Sequence, residues 1–256
     1  LLAEKRTALI SHAVTRGLSE LVSPDDPEFG EWAKPVKFMD SGVQWIGEIP
    51  EEWEVFSLRN AFTLIRNGCS FDQTTKNINN LVKVTRIETI SDGEINYERT
   101  GEVDFVKEIE RYRLLNGDIS FSNINSLSMI GNVAMKEDET ELYAGMNLLQ
   151  MRPSNEQHPK YLLWLLRDSL FRATVEANAK PAINQASIPV SKLSGLPIPK
   201  VPIPTQCAIA AFLDKETTKI NILISESESA IKLLKEHRAA LITNAVTGKI
   251  NVEGLA

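Results

Sequence analysis

The sequence predicts an α+β protein in which one mixed globular domain is flanked by long helices able to form a coiled coil. Three observations support this fold class: a helical segment repeated near both ends, an apolar stripe with a 3.5-residue period, and a central region of short strand-like runs. With 256 residues, of which 43% are hydrophobic, the chain is long enough to bury a sizeable core.

The repeat joins the two ends of the chain. Residues 1–17 read LLAEKRTALISHAVTRG and residues 233–249 read LLKEHRAALITNAVTGK, with ten identities in seventeen ungapped positions. This similarity exceeds what a shared helical composition would produce. We therefore expect residues 1–18 to be the end of a preceding helix, cut within a longer tandem-repeat protein. A processed start would explain the missing methionine but not the repeat.

A long C-terminal helix is predicted over residues 204–248. It follows the rigid arm 201–204, because proline disfavours helix before itself but fits a first turn, and Gly248 is expected to end it. Along this helix, mostly apolar residues recur at alternating steps of four and three residues, the spacing of a coiled-coil seam. Leu2 and Leu9 occupy the equivalent seam positions on the first helix. A single amphipathic helix docked on its own domain is the alternative, but the repeat favours helix pairing. The apolar seam positions of the long helix are Ile220, Ile224, Ile231, Leu234 and Leu241.

Between the helices, the sequence divides into a connector and a globular domain. Residues 19–40 contain Pro, Asp and Glu with little periodicity, which is typical of a linker. Residues 41–200 form the mixed domain, in which one amphipathic helix is predicted over residues 160–177. The strand-like runs are residues 81–85, 103–106, 117–121 and 147–151.

Composition restricts the class of function. Cys69 and Cys207 lie far apart and have no His or Cys neighbours at metal spacing, which argues against a disulfide framework and a zinc site. No apolar run approaches the roughly 18 residues that a membrane span needs, so we expect a cytoplasmic protein with no membrane partner. The net charge of -6 counts against a uniformly basic nucleic-acid binder. Any DNA-binding face must therefore be local.

Two windows of the sequence are locally basic. Residues 55–87 contain five basic residues and one acid, and residues 177–205 contain three lysines and no acid; scattered solvated charge explains either window alone equally well. Three polar stretches, residues 66–71, 122–126 and 178–185, supply the directional donors and acceptors that reading a base edge requires. Surface loops that only satisfy turn geometry are the alternative.

The sequence contains no motif for chemistry on DNA. There is no Gly-rich phosphate loop, no Asn-Pro-Pro or Asp-Pro-Pro tetrapeptide of the aminomethyltransferase kind, and no nuclease-like cluster of carboxylates with a lysine. His12, His158 and His237 are interpreted as solvated or capping residues rather than bases. We therefore expect no catalytic residue, no metal site and no cofactor on this chain.

Several passages resemble the specificity (S) subunits of Type I restriction-modification enzymes, and together they span nearly the whole chain. Residues 41–55, with SGVQWIGEIP and WEV, are similar to the segment that opens a target-recognition domain. Residues 117–119 and 130–134 resemble its central strand-turn-strand block. Residues 198–214 and 233–249 resemble the two ends of its conserved helix, and AVTGKI is the most specific match. The family commonly has Glu-Gln where this chain has Thr205-Gln206.

The resemblance implies one target-recognition half of a non-catalytic subunit that carries two such domains, each reading half of a bipartite DNA target. Antiparallel helices would separate the domains, and a helix of roughly 42 residues spans on the order of 60 Å, a rigid spacer of nearly two DNA turns. Methyltransferase (M) subunits holding S-adenosylmethionine would bind around it, with restriction (R) subunits attached to them. ATP and Mg are expected only on those partners. Self-association of this chain through the helix seams is the alternative to a two-domain chain.

On this hypothesis, residues 41–200 are the target-recognition domain and contact double-stranded DNA. Basic side chains would position the phosphates, and short polar side chains would reach base edges. A fragment of a fused DNA methyltransferase and a purely structural coiled-coil adaptor are the alternative functions. The predicted phosphate contacts are Arg66, Lys76, Arg86 and Lys180, and the predicted base contacts are Ser70, Asn123, Asn125, Asn184 and Gln185.

Overall fold

The computed structural model describes residues 1–70, 80–127, 129–182 and 185–247. The chain divides into two compact units, one formed by Thr7–Leu213 and the other by Leu1–Arg6 together with the chain from Asp214 onward. In the described ranges, no helix is long and apolar enough to cross a membrane.

Helices and short strands alternate along the described chain. The α-helices are α1 (Leu2–Arg16), α2 (Pro159–Arg167), α3 (Ser169–Asn178), α4 (Val190–Ser194) and α5 (Ile203–Val246). The strands are β1 (Phe38–Asp40), β2 (Glu48–Pro50), β3 (Glu54–Ser57), β4 (Phe62–Asn67), β5 (Leu81–Val84), β6 (Gly101–Asp104), β7 (Ile119–Ser122), β8 (Ile124–Asn125), β9 (Val133–Met135), β10 (Leu148–Pro153), β11 (Lys180–Ala182), β12 (Gln185–Ser187) and β13 (Pro197–Lys200). The predicted α+β class is confirmed.

The largest sheet has four antiparallel strands in the order β4-β10-β7-β9. Gln150 lies at its centre, paired with Arg66 of β4 and Ser120 of β7. Because successive side chains of a strand point to opposite faces, these three polar residues share one face. The other face is apolar and packs into the main core through Ile65, Ile119, Phe121, Leu149 and Met151.

Helices α2 and α3 contribute to that core, but they are not the single helix predicted over residues 160–177. Asp168 breaks the helix, because its backbone is extended (φ -58°, ψ 137°) and its carboxylate caps the next helix. Asp168 Oδ1 accepts hydrogen bonds from the amides of Leu170 and Phe171 at 2.9 and 2.8 Å. The prediction was wrong because apolar residues recur at helical spacing on both sides of the break, which conceals the N-cap residue between them.

The two ends of the globular region come together in the two-stranded sheet β13-β3. Ile198 pairs with Phe56, and at the end of the sheet Lys200 Nζ lies 2.8 Å from the carboxylate of Glu54. Trp45 contacts this sheet, because its indole N–H donates to the carbonyl of residue 197 at 3.0 Å. The Trp45 ring also packs edge-on against Phe171. The long-range pairing closes the globular region.

The second unit contains most of α5 and the first residues of α1. Arg6 Nη1 donates to Asn221 Oδ1 at 2.8 Å, so the two helices contact each other within this unit. Helix α5 has 44 residues and extends over about 65 Å at 1.5 Å per residue. Every residue from 225 to 243 is exposed. Of the predicted seam positions in this unit, Ile220 is buried, Leu2 and Ile224 are half-buried, and Ile231, Leu234 and Leu241 are exposed. Leu9 belongs to the first unit and packs on the core of that same unit.

Candidate nucleic-acid interface

Loops from three strands leave the same end of the four-stranded sheet. Strands β4 and β7 both run antiparallel to β10, so they are parallel to each other and finish at the same end, where β10 begins. We call this the loop end, and it comprises residues 68–70 after β4, 123–126 after β7 and 145–147 before β10. Two of the three predicted polar stretches therefore meet here.

Close contacts between backbone segments hold the loop end together. The backbones of Cys69 and Gly145 form an isolated parallel β-bridge, and the Gly145 amide donates to Thr85 Oγ1 at 2.9 Å. A Cβ on Gly68 would lie 2.1 Å from the Gly145 carbonyl oxygen, and one on Gly145 would lie 2.0 Å from the Thr85 carbonyl oxygen. Only glycine allows this approach. Arg86 follows Thr85 directly and is exposed.

A three-stranded sheet joins the second and third polar stretches. Strand β12 pairs with both β11 and β8, so that Lys180 lies opposite Ser187 and Asn125 lies opposite Ala186. Because β8 follows β7 after one residue, this sheet extends from the loop end. The structure therefore brings residues 122–126 and 178–182 into one surface, although about 55 residues of sequence separate them. Lys76 and Asn184 lie outside the described residues.

The predicted contact residues differ in exposure. Ser70, Arg86, Lys180 and Gln185 are exposed. Asn125 is half-buried; its amide donates to Ser122 Oγ at 3.2 Å and its Oδ1 accepts from the Ser126 amide at 2.8 Å.

Asn123 is more enclosed than any of these side chains. It is only 4% exposed, and its Oδ1 is buried without a hydrogen-bond partner. Its backbone carbonyl accepts from the Ile188 amide at 2.9 Å, which ties β7 to the end of β12. A base contact by Asn123 therefore requires this segment to open, whereas Gln185 is already accessible.

Arg66 belongs to a polar network on the face of the large sheet away from the main core. Its Nε and Nη2 donate to Gln150 Oε1 at 3.0 and 2.8 Å, and Gln150 Nε2 donates to Asp118 Oδ2 at 2.8 Å. Arg152 donates to both oxygens of Asp118 at 2.8 and 2.7 Å. Burial is the main cause that lowers the pKa of Arg66 below the ordinary arginine value.

Sequence reasoning identified Arg66 but missed the partners that orient it. Gln150 and Arg152 alternate with apolar residues along β10, a pattern that marks a polar face. Arg66 and Gln150 come together only because β4 pairs with β10 across a sequence separation of 84 residues. No local sequence pattern indicates that pairing.

In the described ranges, no group of three His, Cys, Asp or Glu side chains is placed to hold a metal ion. Among the histidines, burial lowers the pKa of His12, opposed by the charge of Glu20. Cys69 is buried and Cys207 is exposed, and neither belongs to a disulfide among the described residues.

Comparison with known proteins agrees with this architecture. The sequence profile of the Type I restriction modification DNA specificity domain matches residues 50–233. A type I restriction enzyme MjaX specificity subunit of Methanocaldococcus jannaschii is 42% identical over 205 residues, which are 78% of this chain and 48% of that protein. The chain thus spans about half the length of this curated relative.

Two solved structures share the fold. One, described as showing complex assembly and conformational transition of the type I R-M system, superposes with a TM-score of 0.66 at 17% identity over 95% of this chain and 53% of its own. The HsdS subunit from Thermoanaerobacter tengcongensis gives a TM-score of 0.60 at 17% identity over 97% and 53%. With the profile covering well over half of its length, the chain belongs to the family of Type I restriction-modification DNA specificity domains.

Proposed function

We propose that this chain reads one half of a bipartite DNA target as a recognition half of a Type I specificity subunit. The observation that carries the proposal is the convergence of separate polar segments at the loop end and on the adjoining β11-β12-β8 sheet. Their described parts bring short polar and basic side chains onto neighbouring strands, the type of surface that sequence readout requires. Family membership supports the same function.

The exposed residues divide into two roles. Arg86 and Lys180 contact phosphates, because long cationic side chains fix the register on DNA without sensing its sequence. Gln185 and Ser70 reach base edges, because their short side chains offer directed donors and acceptors. Asn125 holds the segment after β7 in place through its hydrogen bonds to Ser122 and Ser126.

Helix α5 serves as the spacer and partner dock in this proposal. Its exposed span from 225 to 243 carries the apolar seam residues Ile231, Leu234 and Leu241, at 51%, 68% and 47% exposure. An isolated helix is marginally stable in water, so an apolar stripe of this length is expected to pack against another helix. We assign that helix to a second recognition half, either a copy of this chain or the remainder of a longer one, with methyltransferase subunits docking around the pair. S-adenosylmethionine, ATP and Mg belong to those partner subunits.

Selection from a random library of DNA duplexes tests the reading function. The chain is incubated with the library, bound duplexes are recovered and sequenced, and enrichment of one short motif is expected. Gln185→Ala should weaken binding to the enriched motif about 5- to 150-fold more than binding to scrambled duplex, because a lost base contact is worth about 1–3 kcal/mol. Gln44→Ala, also exposed but far along the sequence from the polar stretches, is the control and should leave both affinities unchanged.

The alternatives give different outcomes. A structural coiled-coil adaptor enriches no motif. A methyltransferase fragment binds S-adenosylmethionine in a calorimetric titration, for which we expect no heat of binding.

A further inference from the structure

Three arginines converge beside the loop end, on the polar face of the large sheet. Arg66 and Arg111 place their guanidinium groups 5.0 and 4.7 Å from the centre of the Tyr112 ring. Arg152 lies on the same face, two residues along β10 from the partner of Arg66. We call Arg66, Arg111 and Arg152 the arginine cluster.

The arginine cluster carries three positive charges, and the one carboxylate bound to it, that of Asp118, neutralises only one of them. Arg152 uses both oxygens of the buried Asp118. Arg66 is bound to the neutral amide of Gln150, and Arg111 Nη2 donates to the Tyr112 hydroxyl at 2.8 Å. Within the described part of the chain, neither Arg66 nor Arg111 forms an ion pair with an acid. Two guanidinium charges therefore remain available in a chain whose net charge is -6.

The network behind Arg66 fixes its orientation. Gln150 Nε2 donates to the carbonyl of residue 113 at 2.9 Å and to Asp118 Oδ2, so Oε1 must face Arg66. The Asp118 carboxylate is in turn held by Arg152 and by the amide of Leu115 at 2.9 Å. Arg66 is thus preorganised as a donor, with one face of its guanidinium against Tyr112 and the remaining N–H groups free to bind an anion.

Assembling three guanidinium groups around the single carboxylate of Asp118 is unfavourable. Burial lowers the pKa of Arg66, and repulsion from Arg152 and Arg111 lowers it further, against the opposing influence of Tyr112 and Asp118. An incoming anion would relieve this repulsion. Planar guanidinium groups that are fixed in place match the geometry of phosphate oxygens.

We propose that Arg66 and Arg111 form a clamp for one phosphodiester group of the DNA backbone, with Gln150, Tyr112 and the Asp118–Arg152 pair as positioning residues. The inference rests on the proposed function and adds two features: the clamp is independent of base sequence, and Arg111, from outside the predicted polar stretches, contributes to it. Its position beside the loop end would set the register in which Ser70 and Gln185 meet the bases.

The salt dependence of DNA affinity tests the clamp. The unsubstituted chain, Arg111→Ala and Arg66→Gln are titrated into a fluorescent random-sequence duplex at several salt concentrations. Each lost phosphate contact should reduce the slope of log affinity against log salt by about 0.9. We expect that reduction in both variants, with the same loss of affinity on any duplex sequence. Arg99→Ala is the matched control, because Arg99 is already paired with Asp92 at 3.0 Å, and its slope should not change.

The outcomes separate this inference from the proposed function. An unchanged slope in the exposed variant Arg111→Ala, with DNA binding retained, overturns the clamp and leaves the proposed function in place. Absence of DNA binding by the unsubstituted chain overturns both. Calorimetry with inorganic phosphate provides a further arm: phosphate binding that both variants abolish, while the DNA slope stays unchanged, would show a small-anion site instead of a DNA clamp.

Discussion

Arg152 spans both oxygens of Asp118 with hydrogen bonds of 2.8 and 2.7 Å, and the carboxylate that it holds is only 2% exposed. The same carboxylate accepts from the Gln150 amide and from the backbone of Leu115. A buried acid with this many donors is tied to the stability of the sheet as well as to the orientation of Arg66.

Asp118→Ala is expected to lower the free energy of unfolding by about 2–4 kcal/mol, because it leaves buried donors without an acceptor and one guanidinium without its partner. Urea denaturation followed by circular dichroism measures the loss. Asp92→Ala removes an exposed ion pair with Arg99 and should cost less than about 1 kcal/mol. Equal losses in the two variants would contradict the structural role of Asp118.

Asp168→Ala should destabilise the chain by about 2 kcal/mol or more. The substitution removes the N-cap of α3 and the acceptor of the Ser11 hydroxyl, which binds Asp168 Oδ2. Asp168→Asn keeps an oxygen acceptor for the Leu170 and Phe171 amides and should lose clearly less in the same thermal and urea unfolding measurements. If the asparagine variant is as unstable as the alanine variant, charge rather than capping is the cause.

Asp138 makes stability depend on pH in the acidic range. Hydrogen bonding from the buried Lys136 lowers the pKa of Asp138 from 3.8 to about 2. Because the pKa is lower in the folded chain, the stabilisation is fully present above about pH 4 and is lost as the pH falls toward 2. The stability difference between the unsubstituted chain and Asp138→Asn should therefore be constant at neutral pH and narrow between pH 4 and pH 2. A difference that persists at pH 2 would exclude this ionisation as its source.

Gly145→Ala should cost at least about 2 kcal/mol of unfolding free energy, because the new Cβ would collide with the Thr85 carbonyl oxygen at 2.0 Å. Gly195→Ala is the matched control, since its Cβ would make an ordinary contact of 3.4 Å with the Ser191 carbonyl oxygen. Differential scanning calorimetry of both variants measures the contrast. A tolerated Gly145→Ala would show that the loop end can separate its backbone segments.

Leu234→Glu combined with Leu241→Glu should abolish self-association of the chain. Both leucines lie on the exposed stripe of α5, and burying a charge in a helix seam opposes pairing. If the partner helix comes from a second copy, sedimentation velocity at micromolar concentration should show a dimer for the unsubstituted chain and a monomer for the variant. A monomeric unsubstituted chain would instead assign the partner helix to the remainder of a longer chain. Glu236→Lys changes the opposite face of the same helix and should stay dimeric.

The periodic parts of the chain were predictable because their signal is local. The 3.5-residue spacing and the proline arm located α5 to within a residue at its start, where the helix begins at Ile203. The strands near residues 81, 119 and 148 were also located, because alternation and turn residues bound them. The interruption at Asp168 was not predicted, since the helical spacing of apolar residues on both sides of it outweighed the signal of one capping residue.

The candidate site was predictable only in its parts. Composition identified the polar stretches, but their meeting depends on β12 pairing with β8, which are separated by about 60 residues. The burial of Asn123, in contrast to the exposure of Gln185, follows from packing between β7 and β12, and both residues look alike in sequence. The pairing of Gln150 with Arg66 depends on strand register, which no local sequence pattern encodes.

Because β4 and β7 run parallel on either side of β10, the apolar residues that pack the sheet into the main core differ from the exposed residues near the loop end, such as Ser70 and Gln185. Substitutions at those exposed positions leave the strand register and the apolar face intact, whereas Gly68 and Gly145 leave no room for a side chain. On the proposed function, new DNA preferences can arise by substitution of these exposed residues while the strands and the apolar core stay unchanged. Grafting the β11–β12 hairpin from a relative with a different target is the direct route to reprogramming such a chain.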